Sequence, residues 1–258
     1  MNPMNAPILD WHQQRVWVIG ASSGIGAETA RQLLAKGARV ALSARNAAGL
    51  DEIATGQHNA LTVVLDITQH DTVLAARDQI LNAWHGIDLI LIVAGGYGEM
   101  RADNFDLTLA NRLIDLNLRG VMHCLDATLP VLLKQGQGAI GIVASVAGYS
   151  GLPRAMAYGA TKAALINLSE CLYFDLHPRG IGVYLINPGF VDTPLTANND
   201  FPMPAMMSAS SAAEALIEGV ELGRFHIHFP KRFTNWLRFA RLLPYRAYFA
   251  LIHKVTGL

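Results

Sequence analysis

The stretch VIGASSGIGAETARQLLAKGA, residues 18–38, places three glycines between an apolar run and a segment of helical periodicity. Gly20, Gly24 and Gly26 allow a tight turn and a close approach of the backbone to another group. Apolar residues then recur at helical spacing, and Gly37 is placed to end the helix. The stretch therefore predicts a strand, a glycine turn and a helix in succession.

A glycine turn that opens a helix presents backbone N–H groups and the positive end of the helix dipole to one point, where a pyrophosphate can bind. The spacing is G-x-x-x-G-x-G, and a plain strand-to-helix turn also uses glycine. The position between a buried strand and a helix favours a dinucleotide site. The residues predicted to contact the phosphates are Gly20, Ser22, Ser23, Gly24, Ile25 and Gly26.

Short apolar runs alternate with helical segments along the rest of the chain. The runs occupy residues 15–20, 39–44, 61–66, 88–96, 138–145, 182–189 and 224–229. The helical segments occupy residues 25–38, 46–55, 69–84, 106–135, 158–177 and 211–222. Strands without polar alternation are buried on both faces, and a helix in each crossover makes them parallel. The sequence predicts an α/β fold of Rossmann type, a doubly wound, seven-stranded parallel sheet with helices on both faces.

The composition bounds the size and the partners of this fold. The 258 residues fit one domain, 1–258. The chain is 52% hydrophobic and 16% charged, against roughly 45–50% and 25% in average proteins, which predicts a large core and a homodimer or homotetramer. Twenty basic and twenty acidic residues cancel. We therefore expect no nucleic-acid partner.

The cysteines and the N-terminus favour a cytoplasmic protein. Cys124 and Cys171 lack CxxC spacing, and we interpret both as small buried hydrophobes. The first residues do not have the pattern of a signal peptide, and no run of about 18 apolar residues occurs. No membrane-spanning helix is expected.

The end of the second predicted strand indicates which dinucleotide is used. A carboxylate there would bind a free ribose hydroxyl, but this chain has Ala44 and Arg45. A guanidinium can pair with a 2′-phosphate, so NADP(H) is preferred over NAD(H). The alternative is that Arg45 is a solvated loop residue.

Four polar residues form a candidate catalytic set. Ser145 follows the strand at 138–145, Tyr158 comes thirteen residues later, and Lys162 lies one helical turn beyond it. Asn117 lies within the predicted helix 106–135. Each residue alone has an ordinary structural explanation, as a cap, an amphipathic aromatic, a solvated cation or a helix kink.

Together the motifs resemble the short-chain dehydrogenase/reductase family. The segments GASSGIG, NLRG, YGATK and NPGFVDTP occur in the family's order, over residues from about 15 to 230. The resemblance implies that Tyr158 is the general acid/base and that Ser145 holds the substrate oxygen. It also implies that Lys162 contacts the nicotinamide ribose and that Asn117 supports a proton-relay water.

The resemblance extends to further cofactor positions. It places Asp66 and Ile67 beside the adenine, Ala94 and Gly95 beside the ribose, and Pro188, Gly189, Val191 and Thr193 around the nicotinamide. An acid that ends a strand can also cap a helix, and NPG is also a common turn. The chain departs from the family where Ile92 and Val93 replace two asparagines and Ile19 replaces a threonine.

The chemistry of the pair at 158 and 162 fits a hydride-transfer enzyme. A free tyrosine has a pKa of about 10, and we expect the cation of Lys162 and the positive charge of an oxidised nicotinamide to favour the phenolate of Tyr158. The expected reaction is the reduction of a small-molecule carbonyl or the oxidation of a secondary alcohol. The alternative is a catalytically weak nucleotide-sensing or regulatory scaffold, motivated by the lost asparagines.

Three further segments carry predictions. Residues 195–210, rich in Pro, Met and small residues, are interpreted as a flexible lid over an apolar substrate, with an ordinary surface loop as the alternative. Ser211 and Glu214 form a candidate capping box. His226 and His228 share a strand face but lack a third ligand, so no metal is expected.

The last segment, 231–258, is predicted to form a basic amphipathic helical extension. It has six basic residues and no acidic one. Its apolar residues are Trp236, Phe239, Ala240, Leu243, Tyr248, Phe249, Leu251 and Ile252, with Pro244 interrupting the pattern. Such a pair of helices can lie in a membrane interface, giving peripheral membrane contact, or pack against its own domain or a second subunit.

Overall fold

A computed structural model describes residues 3–12, 14–197, 199 and 201–257. Within these residues, seven parallel strands form one sheet in the order β3-β2-β1-β4-β5-β6-β9, and β7 pairs with β8 apart from it. The strands are β1 Arg15–Ile19, β2 Arg39–Ser43, β3 Ala60–Thr62, β4 Leu89–Ile92, β5 Gly138–Val143, β6 Ile181–Pro188, β7 Val191–Asp192, β8 Met207–Ser208 and β9 His226–Phe229.

Helices cover both faces of the sheet, as the sequence predicts. They are α1 Gly24–Ala35, α2 Ala47–Ala54, α3 His70–Trp84, α4 Leu107–Ile114, α5 Gly120–Gln135, α6 Met156–Leu176, α7 Ala209–Glu221, α8 Lys231–Ala240 and α9 Tyr245–Thr256. Helices α1 and α7 pack together on one face, and α3 and α5 pack together on the other. The Rossmann-type doubly wound fold is confirmed.

The first strand shows why an uninterrupted apolar run specifies a central position. Val16, Trp17, Val18 and Ile19 have no solvent exposure. Trp17 and Ile19 belong to the core beneath α3, α5 and α6, whereas Val16 and Val18 belong to the core beneath α1 and α7. The one polar group of the Trp17 ring donates a hydrogen bond to Ser43 Oγ at 2.9 Å, so its burial leaves no unpaired donor.

The strand order reverses at β1, which lies between β2 and β4. Ile19, the last residue of β1, is in register with Ser43 on one side and Ile92 on the other. Connections from β1 and β4 leave the sheet in different directions at this point, so a crevice opens above the carboxyl ends of the strands. This crevice holds the candidate site.

Two predicted helices differ from the observed ones. The segment 106–135 is divided by a π-helical turn, Asp115–Arg119, between α4 and α5. The helix predicted over 211–222 begins earlier, because Ser208 Oγ accepts a hydrogen bond from Ser211 N at 3.1 Å. The predicted capping box of Ser211 and Glu214 is therefore wrong, since Ser211 already lies in the first turn.

The cysteine prediction is half right. Cys124 is buried on α5, and burial raises the pKa of its thiol. Cys171 is exposed on α6, because it lies on the side of this helix that faces away from the sheet. Neither residue forms a disulfide in the described part of the chain.

The C-terminal segment forms the predicted helical pair, with Pro244 at the N-cap of α9. Leu237, Ala240, Tyr248 and Ile252 are buried, so one side of the pair packs against the rest of the chain. None of the helices within the described residues is both long and apolar enough to cross a membrane.

Two of the apolar residues assigned to the packing face of this pair are on its outside. Phe239 is 65% exposed and Phe249 is 60% exposed. The helical spacing that groups them with buried neighbours leaves each at the edge of the apolar face, where most of the side chain stays exposed to solvent. The face predicted from the sequence is wider than the face that packs.

Candidate active site

A cavity of about 990 Å³ lies above the carboxyl ends of the central strands. Of the predicted site residues, those that line it are Gly20, Ser22, Ser23, Gly24, Ile25, Gly26, Arg45, Asp66, Ile67, Ala94, Gly95, Ser145, Tyr158, Lys162, Pro188, Gly189, Val191 and Thr193. The remaining one, Asn117, lies behind the cavity wall. Residues separated by more than a hundred positions along the chain thus meet at one crevice.

The glycine turn leaves a cradle that fits a pyrophosphate. Gly20 has φ +96°, in the left-handed region, and an added Cβ there would lie 2.5 Å from Ala94 N. Among the described residues, the N-cap Ser23 has no side-chain capping bond, and the first turn of α1 contains no acid. The first N–H groups of the helix therefore remain available to an anion.

The end of the cavity that is predicted to hold the adenosine brings a cation and an acid together. Arg45 Nη1 lies 3.9 Å from Asp66 Oδ2, and the two side chains are 73% and 29% exposed. Asp66 Oδ1 also accepts hydrogen bonds from Thr68 N at 2.9 Å and Thr68 Oγ1 at 2.8 Å. Asp66 therefore orders the turn that precedes α3, which resembles the helix-capping role named as the alternative. Its second carboxylate oxygen faces Arg45.

Ser145 and Tyr158 meet at the opposite end of the cavity. Ser145 follows β5, and its Oγ accepts a hydrogen bond from Ala147 N at 3.1 Å. Tyr158, in the first turn of α6, is hydrogen-bonded to the side chain of Ser145. The ring of Tyr97 packs edge-on against the Tyr158 ring, with 5.1 Å between centroids. The two hydroxyl groups are therefore placed to contact one substrate oxygen.

Lys162 is held beneath Tyr158 by the backbone. Its Nζ donates a hydrogen bond to Val143 O at 2.9 Å and lies 5.8 Å from the centroid of the Tyr158 ring. The side chain is 4% exposed, and burial lowers the pKa of its ammonium group to about 8.

The expected effect of Lys162 on Tyr158 is not found in the chain by itself. Burial raises the pKa of Tyr158, and the hydrogen bond with Ser145 lowers it by less. Lys162 is directed to Val143 O and carries its own desolvation cost, so its charge does not offset the burial of the phenol. Before a cofactor binds, Tyr158 is thus a neutral phenol, the form that can donate a proton.

Asn117 acts on the backbone. It is completely buried in the π-helical turn. Its Oδ1 accepts from Gly96 N at 2.7 Å, and its Nδ2 donates to Gly96 O at 2.9 Å and to Thr161 Oγ1 at 3.2 Å. The side chain therefore fixes the segment after β4 and has no free group for a substrate.

The same segment is held without the family's two asparagines. Ile19 O accepts hydrogen bonds from Val93 N at 2.8 Å and from Ala94 N at 2.9 Å. Ile92 is 1% exposed and belongs to the core. Backbone pairing with β1 and the Asn117 contacts with Gly96 thus brace the residues on which the departures fall.

The sequence interpretation missed most of the apolar end of the cavity. The additional lining residues include Tyr97, Leu152, Arg154, Phe190, Trp236, Leu237, Ile252 and Val255, whereas Phe201 and Met203 come from the predicted lid segment 195–210. Phe190 lies within NPGFVDTP and could have been found from that motif. For the lining residues of α8 and α9, the only sequence signal was the apolar face of segment 231–258. Residues 198 and 200 of the predicted lid lie outside the described residues.

The rings of His226 and His228 pack side by side on the last strand, tilted by 35° with 4.7 Å between centroids. His226 Nε2 lies 3.0 Å from Tyr149 Oη and 3.0 Å from Asn187 Nδ2. No group of three metal-ligating side chains occurs in the part of the chain that the structure describes. The pair belongs to a network that joins β9 to its neighbours.

The hydrogen bonds of His228 define its tautomer. Thr234 Oγ1 donates to Pro230 O at 3.0 Å, so it accepts from His228 Nδ1–H at 2.6 Å. His228 Nε2 then accepts from Arg238 Nη1 at 3.1 Å. Neutral His228 thereby ties α8 to β9, and a proton on Nε2 would break the contact with Arg238.

We expect the stability of the protein to fall as the pH decreases from about 6.5. Burial, followed by nearby cations, lowers the pKa of His226 to about 4 and that of His228 to about 3. The unfolded chain takes up protons below its ordinary histidine pKa, whereas the folded chain does not until its own lower pKa values are reached. The contribution of these two histidines to stability is therefore fully present above the histidine pKa of the unfolded chain, and it is lost as the pH falls toward 4. Thermal unfolding followed across this range measures the loss.

The double variant His226→Gln/His228→Gln should show a smaller loss of Tm between pH 7 and pH 5. The matched variant His58→Gln/His253→Gln removes two exposed histidines and should keep the wild-type pH dependence. Equal pH dependence in wild type and in His226→Gln/His228→Gln would contradict the prediction.

Comparison with known proteins agrees with the fold and the motifs. The profile described as short chain dehydrogenase matches residues 14–202. An uncharacterized oxidoreductase of Myxococcus xanthus is 35% identical over 231 residues, which cover 88% of this chain and 91% of that protein. Cis-4-hydroxycyclohexanecarboxylate dehydrogenase of Sinomonas cyclohexanicum is 36% identical over 207 residues, covering 78% of this chain and 81% of that protein.

A solved structure gives the same result for the fold. The 3-ketoacyl-(acyl-carrier-protein) reductase of Brucella melitensis, complexed with NADH, matches with a TM-score of 0.78 at 24% identity, covering 85% of this chain and 98% of that one. The profile match spans most of the sequence, and the motifs it contains meet at one cavity. The chain therefore belongs to the short-chain dehydrogenase/reductase family of oxidoreductases, which generally use a nicotinamide dinucleotide.

Proposed function

We propose that the protein is an NADP(H)-dependent oxidoreductase that transfers a hydride between nicotinamide and a carbonyl or secondary alcohol, with Tyr158 as general acid/base. The observation that carries the proposal is the meeting of Ser145, Tyr158 and Lys162 in the cavity that also contains the glycine turn. The name of the Sinomonas relative, a dehydrogenase of a hydroxy acid, supports chemistry at a CH–OH group.

Each polar residue has one task in this mechanism. A bound nicotinamide supplies or accepts the hydride. In reduction, Ser145 donates a hydrogen bond to the substrate oxygen, and Tyr158 gives its phenolic proton to the alkoxide that forms. Lys162 Nζ lies 5.8 Å from the centroid of the Tyr158 ring, where its positive charge would stabilise the negative charge left on the phenolate. Oxidation of an alcohol reverses these steps, with Tyr158 accepting the proton.

The cofactor preference rests on Arg45. Its side chain is largely exposed at the adenosine end of the cavity, where a guanidinium can bind a 2′-phosphate through two charge-assisted hydrogen bonds. The 3.9 Å separation from Asp66 leaves the guanidinium loosely paired. A phosphate would be a stronger partner than this one half-buried carboxylate at 3.9 Å.

Arg45→Ala is expected to weaken NADPH binding by about ten- to a hundredfold and to leave NADH binding nearly unchanged, because one charge-assisted contact contributes about 1.5–3 kcal/mol. Fluorescence titration with both cofactors measures the two Kd values. The matched variant Arg31→Ala removes an exposed arginine paired with Glu28 and should change neither. Tighter binding of NADH than NADPH by the wild type would overturn the preference.

The rest of the proposal concerns the assembled protein. The chain would work as one domain in the cytoplasm, with peripheral membrane contact through 231–258. A homodimer or homotetramer would cover apolar side chains exposed on α5 and α6, such as Met122, Leu133 and Phe174. Gel filtration with light scattering measures that state.

A panel of aldehydes and ketones, assayed for NADPH consumption, tests the enzymatic function. Turnover of at least one carbonyl class is the expected result. Specific NADPH binding without turnover of any carbonyl, and without oxidation of the matching alcohols, would favour the scaffold alternative instead.

A further inference from the structure

The two C-terminal helices form one wall of the substrate end of the cavity. Trp236 and Leu237 of α8 and Ile252 of α9 line it. Tyr248 Oη donates a hydrogen bond to Gly151 O at 2.8 Å, which ties α9 to the loop between Ser145 and α6. The wall on this side is apolar, so it suits an apolar substrate better than a charged one.

The same helices also expose large apolar side chains to solvent. The exposed fractions are 65% for Phe239, 78% for Leu242, 80% for Tyr245, 60% for Phe249 and 60% for Val255. The rings of Tyr245 and Phe249 stack, with 5.7 Å between centroids. We refer to these five residues as the tail surface. Bulky side chains grouped in this way on an outer face mark an interaction site.

The positive charge of segment 231–258 indicates which kind of partner the tail surface would bind. The six cations of the segment, all exposed, are Lys231, Arg232, Arg238, Arg241, Arg246 and Lys254. Within the described residues, none of them lies within 4.0 Å of a carboxylate. An isologous contact with a second copy would bring this basic, acid-free surface against the same surface of the other copy, which costs free energy. A surface rich in anionic lipids offers the opposite charge together with an apolar interior.

One residue joins the tail surface to the cavity. Val255 lines the cavity and is also 60% exposed, so the cavity opens beside the tail surface. We propose that the tail surface docks on an anionic phospholipid bilayer and that the substrate is a lipid-soluble carbonyl or alcohol taken from that bilayer. The substrate part of this inference rests on the proposed oxidoreductase function, whereas docking does not.

Vesicle flotation tests the docking. The wild type should float with vesicles of phosphatidylcholine and phosphatidylglycerol, stay behind with phosphatidylcholine alone, and dissociate at high salt. Arg241→Gln/Arg246→Gln/Lys254→Gln should bind the anionic vesicles about a hundredfold more weakly, since each cation contributes about 1 kcal/mol at such a surface and about 1.4 kcal/mol corresponds to a factor of ten. Phe239→Ser/Tyr245→Ser/Phe249→Ser should also lose binding.

A matched charge variant keeps the test specific. Arg112→Gln/Lys134→Gln/Arg179→Gln removes three exposed cations from other parts of the surface and should float like the wild type. Equal loss in this variant, or wild type that stays behind with anionic vesicles, overturns docking. If wild type stays behind and the tail variants change the oligomeric state in gel filtration, a second copy covers the tail surface instead.

The substrate class is tested with a long-chain methyl ketone carried in the anionic vesicles and with cyclohexanone in water. The cation variant should reduce the vesicle-borne ketone more slowly, by about the factor lost in binding, and should reduce cyclohexanone at the wild-type rate, because its altered residues do not line the cavity. Equal rates on the vesicle-borne ketone would overturn delivery from the bilayer. Flotation without turnover of any carbonyl of the panel or oxidation of any matching alcohol would refute the enzymatic function and leave docking intact.

Discussion

Tyr158→Phe is expected to reduce kcat by about 10²- to 10⁴-fold, the usual contribution of a positioned proton donor. The substitution removes one oxygen atom and keeps the ring that packs against Tyr97. Hydride transfer to a carbonyl then leaves an alkoxide without a proton source at the position that Ser145 also contacts. Steady-state rates of NADPH oxidation with a carbonyl from the panel measure the loss.

Two controls separate chemistry from folding in this experiment. NADPH affinity and Tm of the Tyr158→Phe variant should stay close to the wild-type values, because its hydroxyl contacts only Ser145 among the contacts described for it. Tyr97→Phe removes a hydroxyl from the neighbouring ring in the same cavity and should retain most of the activity. If Tyr158→Phe turned over at a near-normal rate, the acid/base assignment would be refuted.

Gly26→Ala is expected to weaken NADPH binding more than tenfold and to lower the free energy of unfolding by about 1–3 kcal/mol, the usual cost of overpacking. An added Cβ at this position would lie 2.1 Å from Gly20 O, so the glycine turn must move away from α1. The turn and the first amides of the helix would then no longer face the same pyrophosphate. Calorimetric titration and urea denaturation measure the two effects.

The matched variant is Gly151→Ala. An added Cβ there meets no atom within 4 Å, so both NADPH affinity and stability should be unchanged. A folded Gly26→Ala protein with wild-type NADPH affinity would show that the glycine turn does not hold the cofactor.

Much of the fold could be predicted because local and global signals agree. Residues 16–19 are apolar without alternation, as a strand covered on both faces requires, and the structure places them in the interior of the sheet. The glycine turn follows this strand directly, so the prediction of the strand also predicts that the turn lies at the carboxyl edge of the sheet. The end of the third strand could not be predicted from the same signal. The strand ends at Thr62, although the apolar run continues to Leu65.

The details that escaped prediction depend on three-dimensional partners. The role of Asn117 follows from its two hydrogen bonds to Gly96, and no sequence pattern relates two residues that are twenty-one positions apart. The pKa of Tyr158 depends on burial, which outweighs a cation four residues away when that cation is bound to Val143 O. Helical periodicity likewise could not tell Phe239 from its buried neighbours.

The cavity wall formed by α8 and α9 lies late in the sequence, which bears on how members of the family diverge. The profile match ends at residue 202, whereas Trp236, Leu237 and Ile252 come from beyond it and still line the cavity. Part of one cavity wall is thus encoded outside the segment that defines the family, whereas the glycine turn lies within that segment. Mutations in the last thirty codons can reshape this wall without touching the glycine turn, so kinship across the first two hundred residues does not transfer a substrate from one member to another.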